Sequence, residues 1–109
     1  MTVLFGIRSC DTCRKALGEL KAGGHDVILR DIRETPLTED EIAGFLSVFG
    51  EGLINRRSTT WRQFEEAEKL IAPSELLMRH PTLMKRPLVK SARGTTLGWD
   101  ATARAVHLG

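Results

Sequence analysis

The chain has 109 residues, of which 41% are apolar and 28% charged, with a formal charge of +2. This is the size and make-up of one globular domain with one core. No apolar run approaches the roughly 20 residues of a membrane span. The charge is too mild, and the four Phe and two Trp too sparse, to suggest direct nucleic-acid binding.

The start, MTVLFGIRSC, lacks a basic n-region and a cleavage site, so it reads as a first strand rather than a signal peptide. A reducing, cytoplasmic setting without a structural disulfide is the expectation that follows. A monomer is the default. Residues 2–7, TVLFGI, suit a buried strand. After SCDTC, the residues Cys13, Ala16, Leu17 and Leu20 fall on one helix face, and Gly23-Gly24 ends that helix. HDVILRDI, residues 25–32, reads as a second strand. Strand, helix and strand in so short a span form a βαβ unit, with parallel strands and a right-handed crossover.

Thr38 to Glu41 is a capping box, and Ile42, Phe45, Leu46 and Phe49 continue its helix to Gly50. Thr60 to Gln63 resembles a second capping box, opening a helix through Phe64, Ala67 and Ile71 that Pro73 stops. Ser74 to Arg79 is a short helix before Pro81. Pro87 to Lys90 and Thr95 to Trp99, joined by the turn Ser91-Ala92-Arg93-Gly94, predict a hairpin. Asp100 then caps a last helix.

Cys10 and Cys13 are the chain's only cysteines. They could be a redox pair, half of a metal site, or two buried small hydrophobes. Zinc needs four ligands, or three plus water. The remaining candidates, His25, His80 and His107, are scattered and read as surface residues, so no metal is expected. The junction of strand and helix favours the redox reading, because unpaired N–H groups and the helix dipole there stabilise a thiolate at Cys10. Cys13 follows one turn later on the same side, placed to attack an adduct at Cys10. Arg8, Arg14 and Lys15 add positive charge, while Asp11 opposes it and suits the helix start. Arg57, in a loop, and Arg86, before the hairpin, are each ordinary surface residues by default, yet both suit an oxyanion. Spacing alone does not bring them to Cys10. The Arg86-Pro87 bond has only the general cis frequency of about 5–6%.

Taken together, GIRSCDTCRKA, LINRRSTTWRQF, LMKRPLV and a late LGWD resemble the arsenate reductase-like ArsC/Spx family, nearest its YffB-type reductase-like branch. The words occur in the family's order across nearly the whole chain. The resemblance implies an α/β, thioredoxin-like fold (βαβ…ββα, with a mixed four-stranded sheet). It implies a single domain over residues 1–109 with a helical insertion at about 36–84. It implies that Cys10 is the reactive thiolate in an anion-binding loop with Asp11, Thr12 and Arg14, that Arg57 and Arg86 grip an oxyanion or the glutathione carboxylates, and that Pro87 is a cis-proline facing the thiol. No bound cofactor is implied. Glutathione is the implied co-substrate, with glutaredoxin or thioredoxin as a further electron source. Gly98-Trp99 occupies the place where glutaredoxin-coupled arsenate reductases carry another arginine. The C-x-x-C pair is also the switch of Spx-type regulators, which bind RNA polymerase. The expectation is thus a thiol-dependent reductase of an arsenate-like oxyanion or a glutathione mixed disulfide. The alternatives are a redox-switched transcription regulator and a fold retained without activity.

Overall fold

The computed structural model describes all residues, Met1–Gly109. Two compact units are present: Met1–Thr35 with Arg86–Gly109, and Pro36–Lys85.

The first unit is built on a four-stranded sheet. β1 (Thr2–Gly6) leads through α1 (Asp11–Ala22) to β2 (Val27–Asp31); β3 (Leu88–Ser91), β4 (Gly94–Leu97) and a helix at Ala101–Leu108 complete it. The strand order is β2-β1-β3-β4. β1 pairs parallel with β2, from Thr2 opposite Val27 to Gly6 opposite Asp31. It pairs antiparallel with β3, which pairs antiparallel with β4. This is the mixed sheet of a thioredoxin-like α/β fold. The parallel pair demands the α1 crossover, whereas the hairpin needs only a tight turn.

One core of this unit gathers Leu4, Val89, Trp99 and Ala103 with the α1 stripe Cys13, Ala16 and Leu20. These positions follow from period: β1 turns every second residue to one face, and α1 returns one every three or four. Asp100 caps the last helix through a 2.9 Å bond from the Ala103 N–H. Trp99 donates its indole N–H to Glu19 at 3.1 Å, and Arg104 donates to the same carboxylate at 3.0 Å. That shared acceptor joins α1 to the chain's end. The Trp99 and Arg104 donors hold the Glu19 carboxyl below its usual range.

In the second unit, α2 (Glu39–Phe49) opens on the expected capping box. Thr38 Oγ1 accepts from the Glu41 N–H at 3.1 Å, and Glu41 Oε1 accepts from the Thr38 N–H at 2.9 Å. Gly50 ends the helix at φ +59°, a left-handed conformation that glycine adopts without penalty. A 3₁₀ turn (Gly50–Leu53), α3 (Thr59–Arg62), α4 (Glu66–Lys69), α5 (Pro73–Arg79) and a second 3₁₀ turn (Pro81–Leu83) follow. The Lys85 N–H bonds the Leu53 carbonyl at 2.8 Å and the Asn55 N–H that of Leu83 at 2.9 Å, which ties the last part of the unit to its middle. The final helix of the chain is α6 (Ala101–Leu108).

The helix expected from Thr60 to Pro73 is instead α3 and α4. Ser58, not Thr60, is the first cap, accepting from the Trp61 N–H at 3.1 Å. The chain leaves helical geometry at Glu65, where ψ is 163°. Phe64 turns onto its own neighbours, its ring 5.8 Å from Trp61 and 4.8 Å from His80, so Phe64, Ala67 and Ile71 do not share one helix. Pro73 begins α5, at the position where its missing N–H costs nothing.

Candidate functional site

The β1–α1 turn is fixed from three directions. The Cys10 N–H bonds the Ile7 carbonyl at 3.0 Å, and the Arg14 N–H bonds the Cys10 carbonyl at 2.9 Å. Cys10 is therefore the N-cap of α1, in extended geometry, where the helix presents its free N–H groups. The third hold comes from Asp31, 23 residues along the chain, whose Oδ2 accepts from the Arg8 N–H at 2.9 Å. Its Oδ1 accepts from the Arg33 N–H at 2.9 Å. Burial would push the Asp31 carboxyl up, but these two N–H groups and the Arg33 guanidinium hold it down at about 2.

Both cysteines are free thiols; Cys10 is half-buried and Cys13 buried. A Cβ added to Gly6 would overlap Cys13 Sγ, so glycine at the end of β1 makes room for the second sulfur. The two thiols are pushed apart. Burial raises Cys10, but the Cys13 backbone N–H and thiol and the Arg86 guanidinium more than reverse this, leaving it below its ordinary value. Cys13 is pushed up to about 11, first by burial and then by Cys10 itself. Of the two thiols, Cys10 therefore loses its proton the more readily and Cys13 the less.

The structure brings together Cys10, Cys13 and Arg86. The Arg86–Pro87 peptide is cis. Asp11 and Thr12 are exposed in the first turn of α1, and Arg14 donates to Asp11 at 2.7 Å. Arg8 points instead to Glu34, at 3.3 Å. Arg57 belongs to the helical unit, exposed, its backbone N–H on Asn55 Oδ1 at 3.1 Å. Asp31 and Gly6 were not among the expected site residues. An Asp closing a strand signals a local turn, but no spacing reveals a bond to Arg8. The histidines are not uniformly on the surface: His107 is 2% exposed, held between Ser91 and Thr96. Its place on the inward face of α6, beside Ala103, explains the burial.

A thiol at a helix start, beside a second thiol and a guanidinium, sits on a sheet whose topology is that of a thioredoxin-like protein. The chain belongs to the ArsC family, which it matches over residues 5–105. An uncharacterised protein of Haemophilus influenzae is 34% identical over 106 residues, covering 92% of each chain. The global transcriptional regulator Spx of Streptococcus pneumoniae is 30% identical over 106 residues, covering 92% of this chain and 80% of its own. The solved structure of a protein named YFFB superposes with a TM-score of 0.90 at 27% identity, covering 100% of both chains. The chain is thus a member of the ArsC family that is also similar to a transcriptional regulator.

Proposed function

We propose that the protein is a thiol-dependent reductase whose Cys10 thiolate attacks an arsenate-like oxyanion or a glutathione mixed disulfide. With a mixed disulfide, Cys10 Sγ bonds to the glutathione sulfur and the target thiolate leaves. Cys13 then gives up its proton and attacks Cys10 Sγ, releasing glutathione as thiolate. Two electrons from glutathione, or from a glutaredoxin or thioredoxin, reduce the resulting Cys10–Cys13 disulfide. With arsenate, the Cys10 thiolate displaces a hydroxyl from arsenic, which leaves as water with a proton from the substrate. A glutathione thiolate then attacks Cys10 Sγ, and the sulfur–arsenic bond breaks with its electron pair going to arsenic. Arsenite leaves, and the resulting Cys10–glutathione disulfide is resolved by Cys13 as above.

The observation that carries this reading is the opposite displacement of the two thiols. Two of the causes that raise Cys13 are the bond to Cys10 and the charge on Cys10. Both vanish once Cys10 is in an adduct, so Cys13 becomes easier to ionise when its attack is needed. Arg86 supports the incoming negative charge, and Arg57 is assigned the same role. Asp11, Thr12, Arg14 and Pro87 are assigned to the walls of the binding loop. Glutathione acts as a co-substrate and no bound cofactor takes part. The working form is assigned as a cytoplasmic monomer, one domain with a helical insertion.

The test is a panel of arsenate, a glutathionylated peptide and hydroxyethyl disulfide, with wild type, Cys10→Ser and Cys13→Ser. Loss of all turnover in Cys10→Ser and a stalled Cys10 adduct in Cys13→Ser are expected. Full activity in Cys10→Ser would overturn the proposal. The likeness to Spx favours a second reading, a redox-switched regulator that binds RNA polymerase. A wild-type chain that turns over nothing in the panel, yet captures RNA polymerase in only one redox state, would replace the first reading with this one.

A further inference from the structure

The end of the sheet away from Cys10 carries a second polar centre. Beside the start of β1 lies a recess of about 140 Å3, lined by Thr2, His25, Ser91, Arg93, His107 and Met1. No carboxylate lines it. Arg93 and His25 are its basic side chains besides His107, and neither forms an ion pair. At its base, His107 Nδ1 lies 2.8 Å from Ser91 Oγ, and Nε2 lies 2.9 Å from Thr96 Oγ1. The Arg93 N–H also donates to Ser91 Oγ, at 3.2 Å. The hairpin turn and the buried imidazole therefore fix the hydroxyl at the recess wall.

Cationic groups that converge without a carboxylate repel one another, and an anion between them turns that repulsion into attraction. A guanidinium fork and an oriented hydroxyl from the β3–β4 hairpin meet an imidazole from the α1–β2 connection, which suits a ligand with several acceptors. At about 140 Å3 the recess falls well below the roughly 300–1,000 Å3 of pockets for larger ligands. We propose that this recess binds one small tetrahedral oxyanion of the phosphate class, held by Arg93, His25 and the Ser91 hydroxyl, with His107 as the positioning residue for that hydroxyl. The proposal does not depend on the thiol chemistry.

Burial, Arg93 and His25 all hold the His107 proton affinity below its ordinary value. A bound anion offsets the two charges, so binding draws a proton onto His107 and tightens as pH falls. The titratable and charged residues lining the recess are His25, Arg93 and His107, with Met1 at its edge; Asp26, next to His25, is exposed and is not among the lining residues.

Proton NMR of the imidazole C–H signals in the full chain tests this, with inorganic phosphate added against a constant chloride background at about pH 6 and about pH 8. His80, in the helical unit, is the internal control. The expected result is a saturating shift of His25 and His107 but not His80, tighter at the lower pH. Arg93→Gln weakens it roughly tenfold or more and Arg93→Lys restores part of it. Methyl phosphate in place of phosphate separates the sources: binding of both identifies a phosphomonoester head, and of phosphate alone the free ion. Non-saturating shifts, equal shifts at His80, or undiminished binding in Arg93→Gln would overturn the proposal. Iodoacetamide labelling of Cys10 stays unchanged in Arg93→Gln, so failure here leaves the thiol reading standing.

Discussion

The two ends of the sheet place positive charge beside a titratable group, with opposite consequences. Beyond the last residue of β1, against the pull of burial, the Cys13 backbone N–H and thiol and then the Arg86 guanidinium lower the Cys10 thiol, because the deprotonated form is the anion they attract. Beside the first residue of β1, burial first and then the charges of Arg93 and His25 lower His107, because the protonated form is the cation that burial strips of water and that they repel. One field therefore favours a charge and the other disfavours one. The openness of each site matches. Cys10 is half-buried and able to meet a reagent, whereas His107 is sealed with both ring nitrogens against hydroxyls. A cationic surrounding marks reactivity only when the group it acts on is an acid that becomes an anion.

Removing the charge at the first end produces the largest effect. Arg86→Gln is expected to cut turnover of an oxyanion or mixed-disulfide substrate by roughly 10²-fold, the scale of one lost oxyanion donor. It also moves Cys10 alkylation to higher pH, which a pH series of iodoacetamide labelling would read. Unchanged labelling would break the comparison.

Next come the residues that hold the turn. Gly6→Ala forces a Cβ onto Cys13 Sγ and is expected to lower stability in urea by about 1–3 kcal/mol. Asp31 contributes stability through its depressed carboxyl. That contribution is present above the unfolded value of 3.8, and is lost as pH falls towards about 2. The shift corresponds to roughly 2 kcal/mol. Asp31→Ala should therefore lose about that much at neutral pH and show a flatter acid limb in denaturation at several pH values.

The smallest effect belongs to the other end. Thr96→Val removes one partner of His107 and should cost about 1 kcal/mol in urea, with Cys10 labelling unaltered. His107 binds its proton more weakly folded than unfolded, so its contribution is complete above about 6.5 and falls on acidification through the folded value. A changed Cys10 labelling rate in Thr96→Val would show that the two ends are not independent.

Much of this was legible in the sequence because the signals were local. The βαβ unit, the α1 stripe, the Thr38 capping box and the Asp100 cap each follow from period or from a neighbour three residues away. The single helix read from Thr60 to Pro73 divides because the chain turns at Glu65 and the Phe64 ring packs against Trp61 and His80, a choice that periodicity does not encode. At the site, the pairing of Cys10 with Cys13 was readable from spacing. Arg86 reaches Cys10 because β3 lies beside β1, and Asp31 reaches Arg8 because β2 lies on the other side. Both contacts depend on strand order, which the β1–α1 turn's own sequence does not contain. His107 was misplaced for a similar reason: its partners Ser91 and Thr96 come from the hairpin.

The most direct measurement is the pH dependence of iodoacetamide labelling of the reduced protein, resolved by mass spectrometry into Cys10 and Cys13. The account predicts that Cys10 reacts with a midpoint below the ordinary thiol value, while Cys13 stays unlabelled until the pH approaches about 11. Cys10 titrating as a free thiol, or Cys13 reacting first, would contradict it.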